Sequence, residues 1–277
     1  MAADRFRAPR YRDNETTTLM PQDGNCWAVV SNLTDSTEKM TSISAGLVSR
    51  WTPYGAPAVE AADAVSPFIS GFELYTHFLA KDAGAALDLM KLQWGFMMDD
   101  PRMTNSTFIE GYAANGELHY APYSNDPRIS HAHGWATGPT ATLTFYIGGI
   151  HLLSGAGQTW EISPALGGLT SVDTGFSTKL GIFSSQVEAS EDGNITGLKF
   201  ATPAGTTGMV RLLGVEGELV SENGTSVTLT DGMASNISGG SWTLKQAESP
   251  VAQATNAASK ASSSLGGLVA ALFAMLL

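Results

Sequence analysis

The chain has 277 residues, 43% of them hydrophobic and 15% charged, and a formal net charge of −11. That length and balance suit one or two globular domains with a real core and exclude a disordered chain. The acidic surplus leaves no basic stripe to neutralise phosphates, which excludes nucleic acid as a partner, and the single cysteine, Cys26, excludes an internal disulfide and a cysteine-based metal site.

In chain order, Met1 to Glu15 carries no apolar core of the kind a signal peptide needs. From residue 24 to about 155 the spacing predicts helices joined by Gly/Pro-rich loops. One starts near Gly24-Asn25, and a second runs from about Glu38 to Arg50. Ser66-Pro67 is a good N-cap and N1 pair, opening a helix in which Phe68, Phe72, Tyr75 and Leu79 recur at helical spacing. After Gly84 the pattern resumes at Leu87, Met90, Trp94 and Met97. A further helix is expected after Gly138-Pro139, with Leu143, Ile147, Ile150 and Leu153 on one face and Gly155 near its end. Cys26 is expected to be a small residue packed in the core. A helical block of this kind does not close readily on itself and reads as a piece of a larger toroid or bundle.

After about Thr159 the texture changes to short alternating runs bounded by Gly, Asn and Asp: 179–183, 196–200, 209–213, 226–230 and 241–245. Asp192-Gly193 and Asn223-Gly224 are strong hairpin turns. The spacing predicts an antiparallel β-sandwich. From about Glu248 an Ala/Ser/Gln/Thr-rich linker leads to the uncharged apolar tail Leu265–Leu277. Small residues at a cleavage point, a polar spacer and an apolar tail form the layout of a GPI-attachment signal, with Asn256 as the best attachment residue. The tail is too short for a membrane span, which needs about 20 residues. Six of the ten asparagines stand in Asn-X-Ser/Thr sequons, namely Asn14, Asn32, Asn105, Asn194, Asn223 and Asn236, which also points to the secretory pathway. Together these features predict a GPI-anchored protein on the outer face of the plasma membrane or in the cell wall. An exit signal without an entry signal reads as the C-terminal portion of a longer secreted chain.

Three clusters at helix ends or in loops between helices, Trp94–Pro101, Thr104–Tyr112 and Ser130–Pro139, carry residues with chemistry. In Thr104–Tyr112, Glu110 is a proton donor or acceptor if the loop folds over a cleft, and a solvated carboxylate otherwise. In Ser130–Pro139, His131 and His133 form a weak metal pair without a third ligand. Alternatively His133 binds a polyol beside the aromatic platform of Trp135, or both anchor the following helix. Trp94 stacks on a sugar face or packs in the core. No metal or cofactor is assigned.

The run through Asp23-Gly-Asn25, Arg50–Ala56, Ser66–Phe72, Trp94-Gly95, Thr107-Phe-Ile-Glu110, Ser130–Trp135, Gly138-Pro139 and Gly239–Lys245 resembles the α-L-rhamnosidases of glycoside hydrolase family 78. The resemblance spans residues 20 to 246, and the fungal members are closest in texture. It implies an α+β multidomain chain: residues 1–157 as the C-terminal part of an (α/α)6 barrel, 158–247 as the β-sandwich, then the linker 248–264 and the tail 265–277. It also implies an inverting, two-carboxylate hydrolysis of terminal α-L-rhamnosyl residues in a rhamnose-containing glycoside or polysaccharide. Glu110 matches the base and His133 a sugar-contacting histidine, while Trp94 is a weaker match to an aromatic wall and Trp135 lies in the same loop. Phe108-Ile109 stand where a Trp is common beside the base. The general acid belongs to an earlier part of the barrel, and neither Asp4 nor Asp13 stands in a matching context, so this stretch alone is expected to be inactive. The other expectation is a non-catalytic, GPI-anchored carbohydrate-binding or wall-associated protein, motivated by the Asn105 sequon five residues before Glu110. Oligomeric state is left open.

Overall fold

The computed structural model describes residues 10–247. Asp4, the linker, Asn256 and the apolar tail lie outside the described residues. Among those described, no helix is long and apolar enough to cross a membrane. The chain is mixed, with helices up to Ile147 followed by a large sheet.

Helix α1 (Gln22–Val30) begins with a long-range cap: the Glu60 carboxylate accepts from the amides of Gln22 at 2.9 Å and Asp23 at 3.0 Å. Such a cap satisfies amides that have no partner within the helix and places a negative charge at its positive end. In α2 (Thr37–Val48) the Ser36 side chain accepts from Lys39 N, as an N-cap should. In α3 (Pro67–Leu79) Pro67 stands at N1, but the Ser66 hydroxyl makes no cap bond, so the fixed φ of Pro67 sets the entry. Helix α3 is the hub. It packs against α1, α2, α4 (Ala83–Leu89) and α6 (Gly138–Thr142) and buries Ser70, Gly71, Glu73, Leu74, Thr76, His77 and Phe78. A helix covered on so many sides needs polar partners inside, and it has them. Gly138 sits on Gly71 so closely that a Cβ there would lie 2.6 Å from Gly71 Cα, so α6 can cross α3 only at a residue with no side chain. Cys26 is buried as expected, with its thiol held well above its ordinary value by burial and then by the charge of Glu73.

The pattern 87–97 is one helical path: α4, a π-helical turn over Met90–Trp94, then α5 (Gly95–Asp99). The expected helix over 139–155 is corrected. Helix α6 continues as a π-helical turn over Leu143–Ile147 and stops, because Gly149 takes a left-handed φ of 72°. Ile150–Leu152 is strand β4, paired with β5 (Thr159–Ile162). A three-residue step from Ile147 to Ile150 looks the same for a helix face and for two elements meeting one core.

Three short strands, β1 (Pro57–Ala58), β2 (Ala64–Val65) and β3 (Tyr112–Ala113), pair antiparallel within the helical region. The large sheet adds β6 (Ser171–Thr178), β7 (Gly181–Ala189), β8 (Ile195–Arg211), β9 (Gly217–Ser221), β10 (Ser226–Thr228) and β11 (Met233–Gln246) to β4 and β5. Strand β8 has 17 residues and changes partner midway. Residues 195–201 pair with β7, and 207–210 pair with β5. Pro203, which has no N–H to give a ladder, lies at the switch, and β11 follows with register shifts at Ala234/Ile237 and Ser238/Gly240. The sheet bends there, so Trp160 and Ile162 of β5 share one core with Phe183 and Val187 of β7 and with Trp242 of β11. Pairing is antiparallel except between β5 and β8, which run parallel; the wholly antiparallel expectation is corrected there. The run 179–183 is corrected too: Lys179-Leu180 is the turn between β6 and β7. Strand β6 lacked apolar alternation because none of its residues is fully buried.

The hairpin turns at Gly193 and Gly224 have positive φ, as expected. Asn32, Asn105 and Asn236 are also left-handed, at φ 54°, 54° and 57°. Asparagine tolerates that conformation better than most residues, so backbone shape supplies a second reason for asparagine at three of the six sequons.

Candidate active site

Glu110 is pinned from both sides. Ile109 and Tyr112 are buried, the Tyr112 hydroxyl donates to Tyr54 O at 2.5 Å, and Tyr112 belongs to β3. The strand-like stretch 107–110 runs beside 130–133: Glu110 N donates to Ser130 O at 2.8 Å and His133 N to Phe108 O at 2.9 Å. The Thr107 hydroxyl adds a bond to His131 O at 2.5 Å. These bonds bring together the two loop clusters that carry Glu110 and His133.

The Glu110 carboxylate accepts from the Tyr123 hydroxyl on Oε1 and from Ser130 N on Oε2 at 3.2 Å. His133 Nδ1 lies 4.0 Å from Oε2, with the side chains 16% and 15% exposed. That is too long for a hydrogen bond but close enough for a protonated imidazole to be attracted. The pair is therefore half-open: held in place, yet reachable by solvent and ligand. Tyr123 was not singled out from sequence. Its bond to Glu110 first, then burial and the Glu110 charge, hold its phenol above the ordinary value. Tyr120 meets its ring edge-on at 5.2 Å, and the Arg128 guanidinium lies 5.4 Å over it. Tyr120 in turn lies on Gly111, where a Cβ would collide with its ring.

The other predicted residues part company. Trp135 is 65% exposed and meets His133 at 5.1 Å and Phe68 at 5.4 Å, so it offers a platform beside the carboxylate. Trp94 is only 3% exposed, with Nε1 donating to Ala136 O at 2.8 Å. It props the 133–136 loop from inside and presents no open ring face. Asp13 is exposed near the start of the described chain, where it takes a bond from Asn14 at 3.0 Å. His131 is exposed. Asn105 is also exposed, and its Nδ2 donates to Met98 O at 2.6 Å. No group of three or more His, Cys, Asp or Glu side chains suited to a metal ion converges among the described residues.

A second polar cluster went unread in the sequence. Glu73 accepts from Gln22 Nε2 and Trp51 Nε1, both at 2.6 Å, and lies 3.4 Å from His77 Nε2. His77 Nδ1 meets Ser44 Oγ at 2.8 Å. Glu73 is 1% exposed and His77 0%. The order Ser–His–Glu resembles a nucleophile relay, but no substrate can reach Ser44, which is equally buried. The cluster is a bolt joining α1, α2, α3 and the 50–52 turn.

No family profile matches the chain and no curated protein matches it. Solved structures do, three α-L-rhamnosidases among them, so the chain has the fold of a portion of these glycoside hydrolases. The Streptomyces avermitilis enzyme, complexed with L-rhamnose, is 19% identical at a TM-score of 0.57, over 80% of this chain and 21% of its own. The Aspergillus terreus enzyme is 17% identical at 0.53, over 85% and 25%. The Dictyoglomus thermophilum enzyme is 14% identical at 0.60, over 86% and 26%. The chain thus spans about a quarter of the length of these relatives, and at such identities the likeness is one of fold.

Proposed function

We propose that the chain is the C-terminal part of an α-L-rhamnosidase-type glycoside hydrolase. In this reading residues 1–157 are the last hairpins of an (α/α)6 barrel and 158–247 the β-sandwich behind it. Glu110 is the general base that deprotonates water for attack on the anomeric carbon of a terminal rhamnosyl residue, with inversion. His133 and Trp135 hold the ring, and Trp94 is a positioning residue beneath them. The general acid comes from the upstream barrel, and the chain alone is inactive. The observation that carries this reading is the Glu110 carboxylate. It is held at two oxygens by Tyr123 and Ser130 and opens beside His133, on a fold shared with rhamnosidases. In the complete protein, Glu110→Gln should lower turnover of an aryl α-L-rhamnoside by about 10²–10⁴-fold, the usual weight of a general base, with an unchanged circular dichroism spectrum. Undiminished turnover sinks the assignment, and measurable turnover by the isolated chain overturns the missing acid.

A second reading keeps the sugar contacts without hydrolysis, on a surface protein held by a GPI anchor at Asn256. Its support is the exposed Asn105 sequon on the Glu110 loop. Rhamnose-dependent quenching of Trp135 fluorescence in a complete protein without turnover would favour it.

A further inference from the structure

Where the helices meet the large sheet there is a cleft of about 860 Å³, lined by neither Glu110 nor His133. Pockets for small molecules fall in the range of roughly 300–1,000 Å³ and pair an apolar wall with a few converging polar groups. Here the wall includes Phe78, Tyr146, Leu153 and Leu213, and both leucines are well exposed. The polar end is Lys81, His151, Arg211 and Glu161.

The lining carries two cations, Lys81 and Arg211, and two carboxylates, Glu161 and Glu216, but they are not all paired. Arg211 Nε is bound to Glu161 Oε1 at 2.9 Å, which uses both. Glu216 also lines the cleft, with Gln246 and Ala247, and all three border a neighbouring depression that Lys81 and His151 do not line. Lys81 has no carboxylate within 4.0 Å among the described residues. It follows α3 at a φ of 65°, a position where glycine is the usual residue. The backbone therefore carries a strained lysine there, and its cation is left over. His151 lies near enough for the Lys81 charge to act on it; burial first, and last of all Lys81, keep the imidazole below its ordinary value against the charge of Glu161 and a hydrogen bond with the Ser163 backbone. A neutral ring beside a lone ammonium can donate or accept a hydrogen bond without competing for an anion.

The wall is a packed aromatic cluster. Tyr146 is stacked on Phe78 at 4.9 Å and 15°, and His151 and Tyr75 meet it at 5.3 Å and 5.7 Å, near right angles. Phe78 therefore covers one face of Tyr146, and the wall as a whole suits a ligand with an apolar body. We propose that this cleft binds a small apolar carboxylate of the aromatic-acid class, its carboxylate on Lys81 and its body against Tyr146, Leu153 and Leu213.

Isothermal titration of the chain with trans-cinnamate, its uncharged analogue cinnamamide, galacturonate and L-rhamnose tests this. Cinnamate should bind with a Kd of about 1 mM or below, and cinnamamide at least tenfold more weakly. Lys81→Gln should cost about tenfold for cinnamate, in line with one charge-assisted bond, and Lys81→Arg should stay within about threefold. A cation at a helix C-terminus also steadies the helix, so thermal melts of both variants are run, and Lys81→Arg serves as the folded control. Leu153→Glu, which puts a second anion on the apolar wall, should abolish binding without touching Lys81. Equal binding of cinnamate and cinnamamide, tighter binding of galacturonate or rhamnose, full affinity in Lys81→Gln, or no binding of cinnamate each overturns the proposal.

Discussion

Glu73 and Glu110 each stand beside a histidine in the helical region, yet one pair is sealed and the other open. Glu73 and His77 are 1% and 0% exposed, four residues apart on one helix, and every neighbour that reaches Glu73 donates to it. Glu110 and His133 are 15% and 16% exposed, come from different loops and stand 4.0 Å apart. A list of residue types would rank the sealed cluster higher, since it reads Ser–His–Glu. Access reverses the ranking: a buried charge must be saturated by the fold, whereas a working carboxylate must keep an approach for substrate. On the proposed function the first cluster serves packing and the second chemistry.

The largest expected effect tests that division through stability. Removing one partner of a buried ionic cluster leaves the others desolvated and unpaired, which costs about 3–5 kcal/mol. Glu73→Ala should therefore cost that much by urea unfolding and leave the chain poorly folded at 37 °C, because such a loss is a large part of a domain's stability. Glu110→Gln should change stability by no more than about 1 kcal/mol. Equal destabilisation by the two substitutions would end the distinction.

The difference also explains what could be read beforehand. Helix α3, the two Gly-based hairpin turns and the change of texture near residue 155 were legible because each rests on contacts within a few residues. The Glu73 cluster was not, since it joins positions 22, 44, 51, 73 and 77, and no local pattern links them. Glu110 and His133 were paired only through a family resemblance; the hydrogen bonds 110–130 and 133–108 show the physical reason they meet. Tyr123 was missed because it lies 13 residues along a loop with no regular period. Trp94 was read both ways, and helical spacing with Leu87 and Met90 turned out to be the better guide.

A smaller effect separates the pairs by pH. Burial alone would raise the Glu73 pKa, but the hydrogen bond and charge of His77, with the bonds from Gln22 and Trp51, outweigh it and leave the pKa below the ordinary glutamate value. Folded Glu73 therefore takes up its proton at lower pH than unfolded Glu73. Its contribution is complete above the ordinary value and is lost as pH falls below that value through the folded pKa. Urea midpoints measured from pH 7 down to pH 3 should fall on the acid side in the wild type and fall less steeply in Glu73→Gln. Parallel acid limbs would show that folding does not lower the Glu73 pKa.

The smallest effect is the most local, and it bears on whether the open pair is organised before substrate arrives. Tyr123 is half-buried, and burial accounts for only part of the rise in its phenol. The Glu110 carboxylate supplies the main part, by accepting the hydroxyl proton and repelling the phenolate, while the nearby Arg128 works in the opposite direction. Carbon-13 labelling of the tyrosine rings should show Tyr123 losing its proton above the ordinary tyrosine range, and Glu110→Gln should bring it back down, because a neutral amide stabilises the phenol far less against the phenolate. The sealed pair serves as the control, since Glu73→Gln should leave Tyr123 where it is. If Glu110→Gln does not move the Tyr123 titration, the hydroxyl does not hold the carboxylate in solution, and Ser130 N is left as its one hydrogen-bond donor among the described residues.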